Sequence, residues 1–112
     1  TEQAGDDNGK NLCFVLKAPG GEIVGGVIGA TYWDWLYVNL MWLKAELRGH
    51  GFGSQLLLAA EAEARQRGAK HAYLDTFSFQ APEFYKKCGY EVFGVLEDFP
   101  AGHRRYFLQK EL

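Results

Sequence analysis

Arg48-Gly49-His50-Gly51-Phe52-Gly53 stands between an apolar run, Leu36 to Leu43, and a helical pattern, Ser54 to Arg67. A strand, a glycine-rich turn and a helix in that order form an anion cradle. Glycines let backbone N–H groups reach a ligand with no side chain in the way. The helix start adds unpaired N–H donors and the positive end of its dipole. A phosphate or pyrophosphate is the natural guest, although the same glycines could simply shape a tight connection. Two familiar phosphate motifs do not fit. A P-loop needs GxxxxGK[ST], and no Lys-Ser or Lys-Thr follows a glycine here. A dinucleotide fingerprint needs GxGxxG inside a βαβ unit. Counted from Gly49, its last glycine is Ser54.

Outward from the turn, the chain reads as alternating short elements. Leu12 to Lys17 and Glu22 to Tyr32 are expected strands, joined as a hairpin by Pro19-Gly20-Gly21. Gly21, Gly25, Gly26 and Gly29 crowd the second strand, which suggests a bulge or a close backbone approach. Leu36 to Leu43 is a third strand, with Trp35, Tyr37 and Trp42 in or beside it. In the Ser54–Arg67 helix, Leu56, Leu57, Ala60 and Ala64 share one face, while Glu61, Glu63, Arg65 and Gln66 are placed elsewhere. Ser54 is expected to help cap its start and Gly68 to end it. Lys70 to Thr76 follows as a strand, then Gln80 to Lys87 as a short helix with Pro82 in its first turn and Gly89 beyond its end. Tyr90 to Leu96 and Arg104 to Gln109 are the last strands, joined through Pro100 and Gly102. The order predicts a mixed α+β fold, one domain over residues 1–112, with residues 1–11 a frayed start or loop.

Bulk properties narrow the function. A length of 112 residues allows one domain at most. Hydrophobic residues make up 47% and aromatic residues 15%, enough for a core and too many for disorder. A net charge of −2 lacks the basic excess of a nucleic-acid binder. No apolar run nears the roughly 20 residues that span a bilayer. No charged segment followed by an apolar one opens the chain, so a cytoplasmic location is expected. Cys13 and Cys88 have no CxxC spacing and read as free core thiols. His71 and His103 have no ligand spacing with each other or with the cysteines, so no metal is expected.

The pattern Arg-x-x-Gly-x-Gly, as Arg48, Gly51 and Gly53, resembles the GNAT superfamily of acetyl-CoA-dependent N-acetyltransferases. A second family signature is a helix ending in tyrosine, then a basic stretch and Gly-aromatic. Ala81-Pro82-Glu83-Phe84-Tyr85-Lys86-Lys87-Cys88-Gly89-Tyr90-Glu91 matches it. The likeness runs from about Gly21 onward. It implies a twisted, mostly antiparallel sheet, splayed at its centre and flanked by helices. It implies acetyl-CoA or coenzyme A as the bound molecule. The pyrophosphate would lie on Arg48, Gly49, His50, Gly51, Phe52, Gly53 and Ser54, with His50 offering its backbone rather than its ring. The strand ending at Leu43 would part from the Lys70–Thr76 strand. Pantetheine would then pair with Leu43 and Ala45 as an added strand, and an N–H near Leu43 would polarise the thioester carbonyl. Lys86 and Lys87 would neutralise phosphates or simply end a solvated helix. Ser78 stands where relatives often carry asparagine and could still bond the pantetheine arm. Relatives usually begin with a strand and two helices. No amphipathic helix precedes Leu12, so these elements are expected to be lacking. The acceptor groove would then be open, or completed by a second copy in a homodimer.

The chemistry this implies is demanding. An amine attacks an acetyl thioester only when neutral, and the departing sulfur needs a proton. Tyr85 occupies the family's general-acid position, and a phenol of pKa about 10 suits a thiolate leaving group. The plainer alternative is a packed tyrosine with its hydroxyl in water. Glu46, Asp75 and Asp34 are candidate bases, although Glu46 also reads as a solvated loop carboxylate, and many relatives appoint a water chain. Tyr32, Trp33 and Asp34, beside Trp35 and Tyr37, either line the acceptor site or serve the hairpin. The expected acceptor is a small-molecule or peptide amine, with no nucleic acid or membrane partner. A module that binds acyl-CoA or a partner without catalysis is the competing reading.

Overall fold

The computed structural model describes residues 9–78, 80 and 82–112. The elements run β1 (Lys10–Lys17), β2 (Ile23–Tyr32), β3 (Trp35–Leu43), a 3-10 turn (Ala45–Leu47), α1 (Phe52–Gln66), β4 (His71–Phe77), α2 (Pro82–Lys87), β5 (Glu91–Glu97) and β6 (Arg104–Glu111). Among the described residues, six strands form one sheet in the order β1-β2-β3-β4-β6-β5. Every neighbouring pair is antiparallel except β3 and β4. This is the mixed fold and the element order expected from the sequence. No helix among the described residues is long and apolar enough to cross a membrane.

The strands alternate as a half-buried sheet requires. In β1, Leu12 is buried and Phe14 and Leu16 pack against the core, while Cys13 and Val15 face outward. Cys13 is therefore an exposed free thiol and not the core thiol expected. Cys88 is partly buried against the core, as expected, and also free. Residues 1–8 of the expected loose start lie outside the described residues. Lys10 and Asn11 do not fray, because they pair with Thr31 and Ala30 of β2.

Helix α1 lays Leu56, Leu57, Ala60 and Ala64 on the buried sheet face, joining Leu36, Val38, Leu74 and Leu108 in one core. Its start differs from expectation. The N-cap is Gly51, at φ 85°, and no side chain caps the helix, so Ser54 sits within the first turn. Glu61 was expected off the buried face and is instead fully buried. It lies four residues after Leu57 and three before Ala64, so helical geometry carries it inward. Gly68, at φ 93°, ends the helix as read.

One irregularity sets the shape of the sheet. Ile28 faces Leu40 and Gly29 faces Val38, so Asn39 is an extra residue on β3. Such a bulge bends its strand and sharpens its twist. The ladder between β3 and β4 covers Trp35–Val38 against His71–Leu74 and stops at this point. The glycines of β2 permit it. A Cβ on Gly29 would lie 2.4 Å from the Tyr37 carbonyl oxygen. Gly29→Ala is expected to destabilise the protein by about 1–3 kcal/mol through overpacking. Gly20→Ala, where a Cβ meets nothing within 4 Å, is expected to stay within about 0.5 kcal/mol of the parent. Urea unfolding of the two variants checks the contrast.

Candidate active site

Where β3 and β4 part, a slot of ≈ 780 Å³ opens through the sheet. One wall is β3 from Asn39 to Leu43, and the other is β4 at Leu74, Asp75 and Thr76. β3 keeps β2 as a partner on its far side. Its slot-side backbone has no strand partner beyond Val38 among the described residues. A free edge of this kind accepts an extended ligand as a further strand. Phe84 and Tyr85 of α2 also line the slot, and Arg48, Gly49, Gly51, Gly53 and Ser54 form one end of it.

The glycines of that end have two different duties. Gly49 and Gly51 hold φ 84° and 85°, the left-handed region that disfavours side chains. A Cβ on either meets nothing within 4 Å, so backbone conformation alone selects glycine there. Gly53 is constrained by contact instead, since a Cβ would lie 3.3 Å from the Phe84 ring, which would have to yield by a few tenths of an ångström. The first turn of α1 carries no side-chain cap and no acidic residue. Its amide donors are left for an anion, with no carboxylate to repel one. Arg48 Nε reaches the Leu43 carbonyl at 3.4 Å and ties this turn to the end of β3.

Tyr85 meets the slot from the α2 side. Its ring packs edge-on against Phe84 at 5.2 Å and Tyr90 at 6.2 Å between centroids. Burial pushes its pKa above that of a free phenol, and its nearness to Cys88 and Asp75 adds to the effect. The phenol therefore keeps its proton at neutral pH and is poised as a donor.

Asp75 lines the slot, but both of its oxygens are already engaged. Arg105 holds Oδ2 through Nε at 2.9 Å and Nη2 at 2.7 Å, and the Tyr37 hydroxyl donates to Oδ1 at 3.2 Å. The guanidinium is fixed in turn among the rings of Phe77, Phe99 and Phe107, 5.5, 5.2 and 5.1 Å from their centroids.

Other expected site residues fall outside the slot lining. Glu46 is exposed on the 3-10 turn. Ala45, His50 and Phe52 flank the cradle without lining the slot, and Lys87 is exposed at the end of α2. Lys86 pairs with Glu83 at 3.0 Å. The Ser78 hydroxyl accepts the Arg104 amide at 3.0 Å, so it holds the strand end of β6. Trp33 and Asp34, at φ 47° and 69°, form the β2–β3 turn at the other end of β3 from the slot. The Tyr32 hydroxyl is hydrogen-bonded to that of Tyr73, and Tyr37 stacks on Tyr73 at 4.8 Å. These aromatics brace the sheet.

Sequence reasoning missed Gln80 as a slot residue. Its Oε1 accepts the Thr76 hydroxyl at 3.0 Å and the Phe77 amide at 2.9 Å, closing the turn after β4. The sequence reading placed Gln80 at the start of the short helix, whereas α2 begins at Pro82 and Gln80 lies in the turn before it.

Comparison with known proteins agrees with this geometry. The model of the acetyltransferase (GNAT) family matches residues 1–90. The blasticidin-S acetyltransferase of Streptomyces morookaense is 43% identical over 93 residues, covering 82% of this chain and 68% of that protein. The crystal structure of an acetyltransferase from Bacillus cereus ATCC 14579 superposes with a TM-score of 0.93 at 42% identity, covering 100% of this chain and 79% of that one. Nourseothricin acetyltransferase superposes with a TM-score of 0.80 at 27% identity, covering 90% and 65%.

A ligand that binds only the native state raises unfolding stability by mass action, about 2.7 kcal/mol at a hundredfold excess over its Kd. Coenzyme A is expected to raise the unfolding midpoint of the parent. Gly51→Val is expected to lose that shift, because the side chain forces the turn out of its left-handed conformation. A differential scanning measurement with and without coenzyme A decides, and an undiminished shift in the variant contradicts the cradle.

Proposed function

The chain belongs to the acetyltransferase (GNAT) family, and on that premise we propose that it transfers an acetyl group from acetyl-CoA to the primary amine of a small, antibiotic-like molecule, with Tyr85 as general acid. Dependence on acetyl-CoA comes with the family. The observation that carries the reading is the meeting, in one slot, of an uncapped helix start, a free strand edge and a protonated phenol. The blasticidin-S acetyltransferase at 43% identity supports an acceptor of that kind.

Acetyl-CoA supplies an activated thioester when it is bound in the slot. The amides of Gly49, Gly51, Gly53 and Ser54 would hold the diphosphate, with Arg48, His50 and Phe52 shaping the turn and Lys87 at its rim. The β3 edge at Leu43, continued at Ala45, would take the pantetheine arm. A main-chain N–H near Leu43 would donate to the carbonyl oxygen as it gains charge, a contribution of about 3 kcal/mol in a dry site. Attack forms the N–C bond and breaks the C–S bond. Tyr85 gives its proton to the departing sulfur and regains one from solvent. The amine's own proton leaves through water. Asp75, held by Arg105 and Tyr37, orients that side of the slot, and Glu46 stays in solvent. We extend the proposal to a homodimer, because the edge strand β5 exposes Val92, Phe93, Val95 and Leu96, a patch that invites pairing. Sedimentation as a monomer at micromolar concentration overturns that extension.

Free-thiol release from acetyl-CoA across blasticidin S, an aminoglycoside and spermidine tests the main proposal. Turnover is expected with at least one amine. Tyr85→Phe is expected to lower kcat by about 10²- to 10⁴-fold while keeping the coenzyme A stabilisation. Because the phenol's pKa is raised, the parent is expected to lose no activity through Tyr85 ionisation below about pH 10. Undiminished turnover in Tyr85→Phe sinks the acid assignment. Tight coenzyme A binding with no transfer to any amine favours a binding module.

A further inference from the structure

Glu61, midway along α1, is the only charged residue that is buried among the described residues, and its exposure is 0%. Its Oε2 accepts the Tyr90 hydroxyl at 2.8 Å, and its Oε1 accepts Lys110 Nζ at 2.9 Å. Arg65 stands farther away, at 3.9 Å. The same Lys110 ammonium donates to the Cys88 carbonyl at 2.9 Å, just past the end of α2. The lysine stem lies over Gly89, where a Cβ would be 3.4 Å from Cε. One carboxylate thus fastens α1, the α2–β5 turn and β6.

Net stability is a weak account of this arrangement. Removing two charges from water costs about as much as their attraction returns, and apolar replacements of buried pairs are often neutral or stabilising. Geometry offers an account. Tyr85 lies one turn before the clamp, and its carbonyl accepts the amides of Cys88 and Tyr90, both at 3.0 Å. Its ring rests edge-on against Tyr90, 6.2 Å between centroids, and the Tyr90 hydroxyl is held by Glu61. Glu61 also shares α1 with the amides of the cradle at Gly51–Ser54. The network spans the distance from the cradle on α1 to the phenol on α2.

We propose that the Glu61–Lys110 pair, with Tyr90, is a positioning device that fixes the Tyr85 phenol relative to the cradle on α1. The inference rests on Tyr85 being the general acid, and its test includes a readout that needs no turnover. In Glu61→Met/Lys110→Met both charges leave together. This variant is expected to melt near the parent and to keep the coenzyme A stabilisation. Its kcat is expected to fall about 10- to 100-fold, the cost of a small misplacement of a reacting group, while KM for acetyl-CoA moves less than about threefold. Lys110→Arg, which can still donate to both acceptors, is expected to recover most of the rate.

The independent readout is the ¹³Cζ resonance of Tyr85, identified by its loss in Tyr85→Phe. In the parent it is expected to be narrow and to move when coenzyme A is added. In the double variant it is expected to broaden and to respond less. A folded double variant with parental kcat and an unchanged Tyr85 resonance overturns the proposal. Should the double variant fail to fold, Tyr90→Phe removes a single hydrogen bond to Glu61 and is expected to show the same signature more weakly. Parental kcat and resonance in Tyr90→Phe are equally fatal to it. If Tyr85→Phe itself turns over normally, the acid assignment fails, and the resonance still reports whether the clamp sets the ring.

Discussion

β3 and β4 run parallel for Trp35–Val38 against His71–Leu74 and then separate. The slot, the free β3 edge and the access of Tyr85 to the sheet's centre all follow from this separation. Backbone N–H and C=O groups left unpaired away from water cost nearly as much as a lost hydrogen bond. An opened sheet therefore needs something to hold it open. The extra residue Asn39 supplies the bend on one side. On the other, β4 is paired with β6 along its whole length from His71 to Phe77, Gln80 accepts the Thr76 hydroxyl and Phe77 amide, and Arg105 holds Asp75. Helix α1 packs on β1, β2 and β3, and its start reaches the slot at Gly53 and Ser54. An added extended ligand would complete the interrupted ladder, so binding and the integrity of the sheet are linked through the same hydrogen bonds.

Much of this was legible in the residues. Strand and helix positions followed from alternation and helical spacing, and of the bulge or close approach that the β2 glycines suggested, Gly29 shows the close approach, while the extra residue Asn39 lies opposite on β3. The turn at Arg48–Gly53 suggested an anion site by residue type, and Gly49 and Gly51 do hold the left-handed backbone there. Pairing across the sheet was less legible. Which strand lies beside β3, and where their ladder stops, depends on contacts between residues some 35 positions apart in the chain, as with Val38 and Leu74, and local propensity is silent about such separations. Gly53 shows the same limit. It reads as the last glycine of a phosphate motif, yet the Phe84 ring, on another helix, is the neighbour that a side chain would strike.

Glu61 and Cys13 were misplaced for opposite reasons. For Glu61 the spacing was right and the residue type misled. It follows Leu57 by one helical turn, but a carboxylate reads as solvated until a partner is known. The partners, Tyr90 and Lys110, lie far along the chain. For Cys13 the residue type suggested burial, while alternation with Leu12 and Phe14 put it on the outer face. The aromatic cluster around Tyr32 read either as an acceptor wall or as a brace for the hairpin, and several of its rings lie against partners in the sheet, Trp35 on His71 at 4.6 Å and Tyr37 on Tyr73 at 4.8 Å. Stacked faces of this kind stabilise the closed end of the β3–β4 ladder and leave the open end to the slot.

The raised pKa of Tyr85 poses an energetic question for a general acid. A thiol has a reference pKa of about 8.5 and a phenol about 10. Proton transfer from phenol to thiolate is thus uphill by about 2 kcal/mol in water, and burial of the phenol alone would enlarge the gap. The slot changes both sides of the balance. Desolvation disfavours any anion placed there, so a thiolate forming beside Tyr85 is raised by the same cause that raises the phenol. The difference between them is then set by the hydrogen bond they share, which strengthens as the sulfur gains charge. On this account the burial that raises the phenol is offset in part by the same effect on the thiolate. In the proposed role, Tyr85 would then donate to a negative charge that appears only as the C–S bond breaks, the property required of a group that lowers the barrier more than it favours the bound reactant.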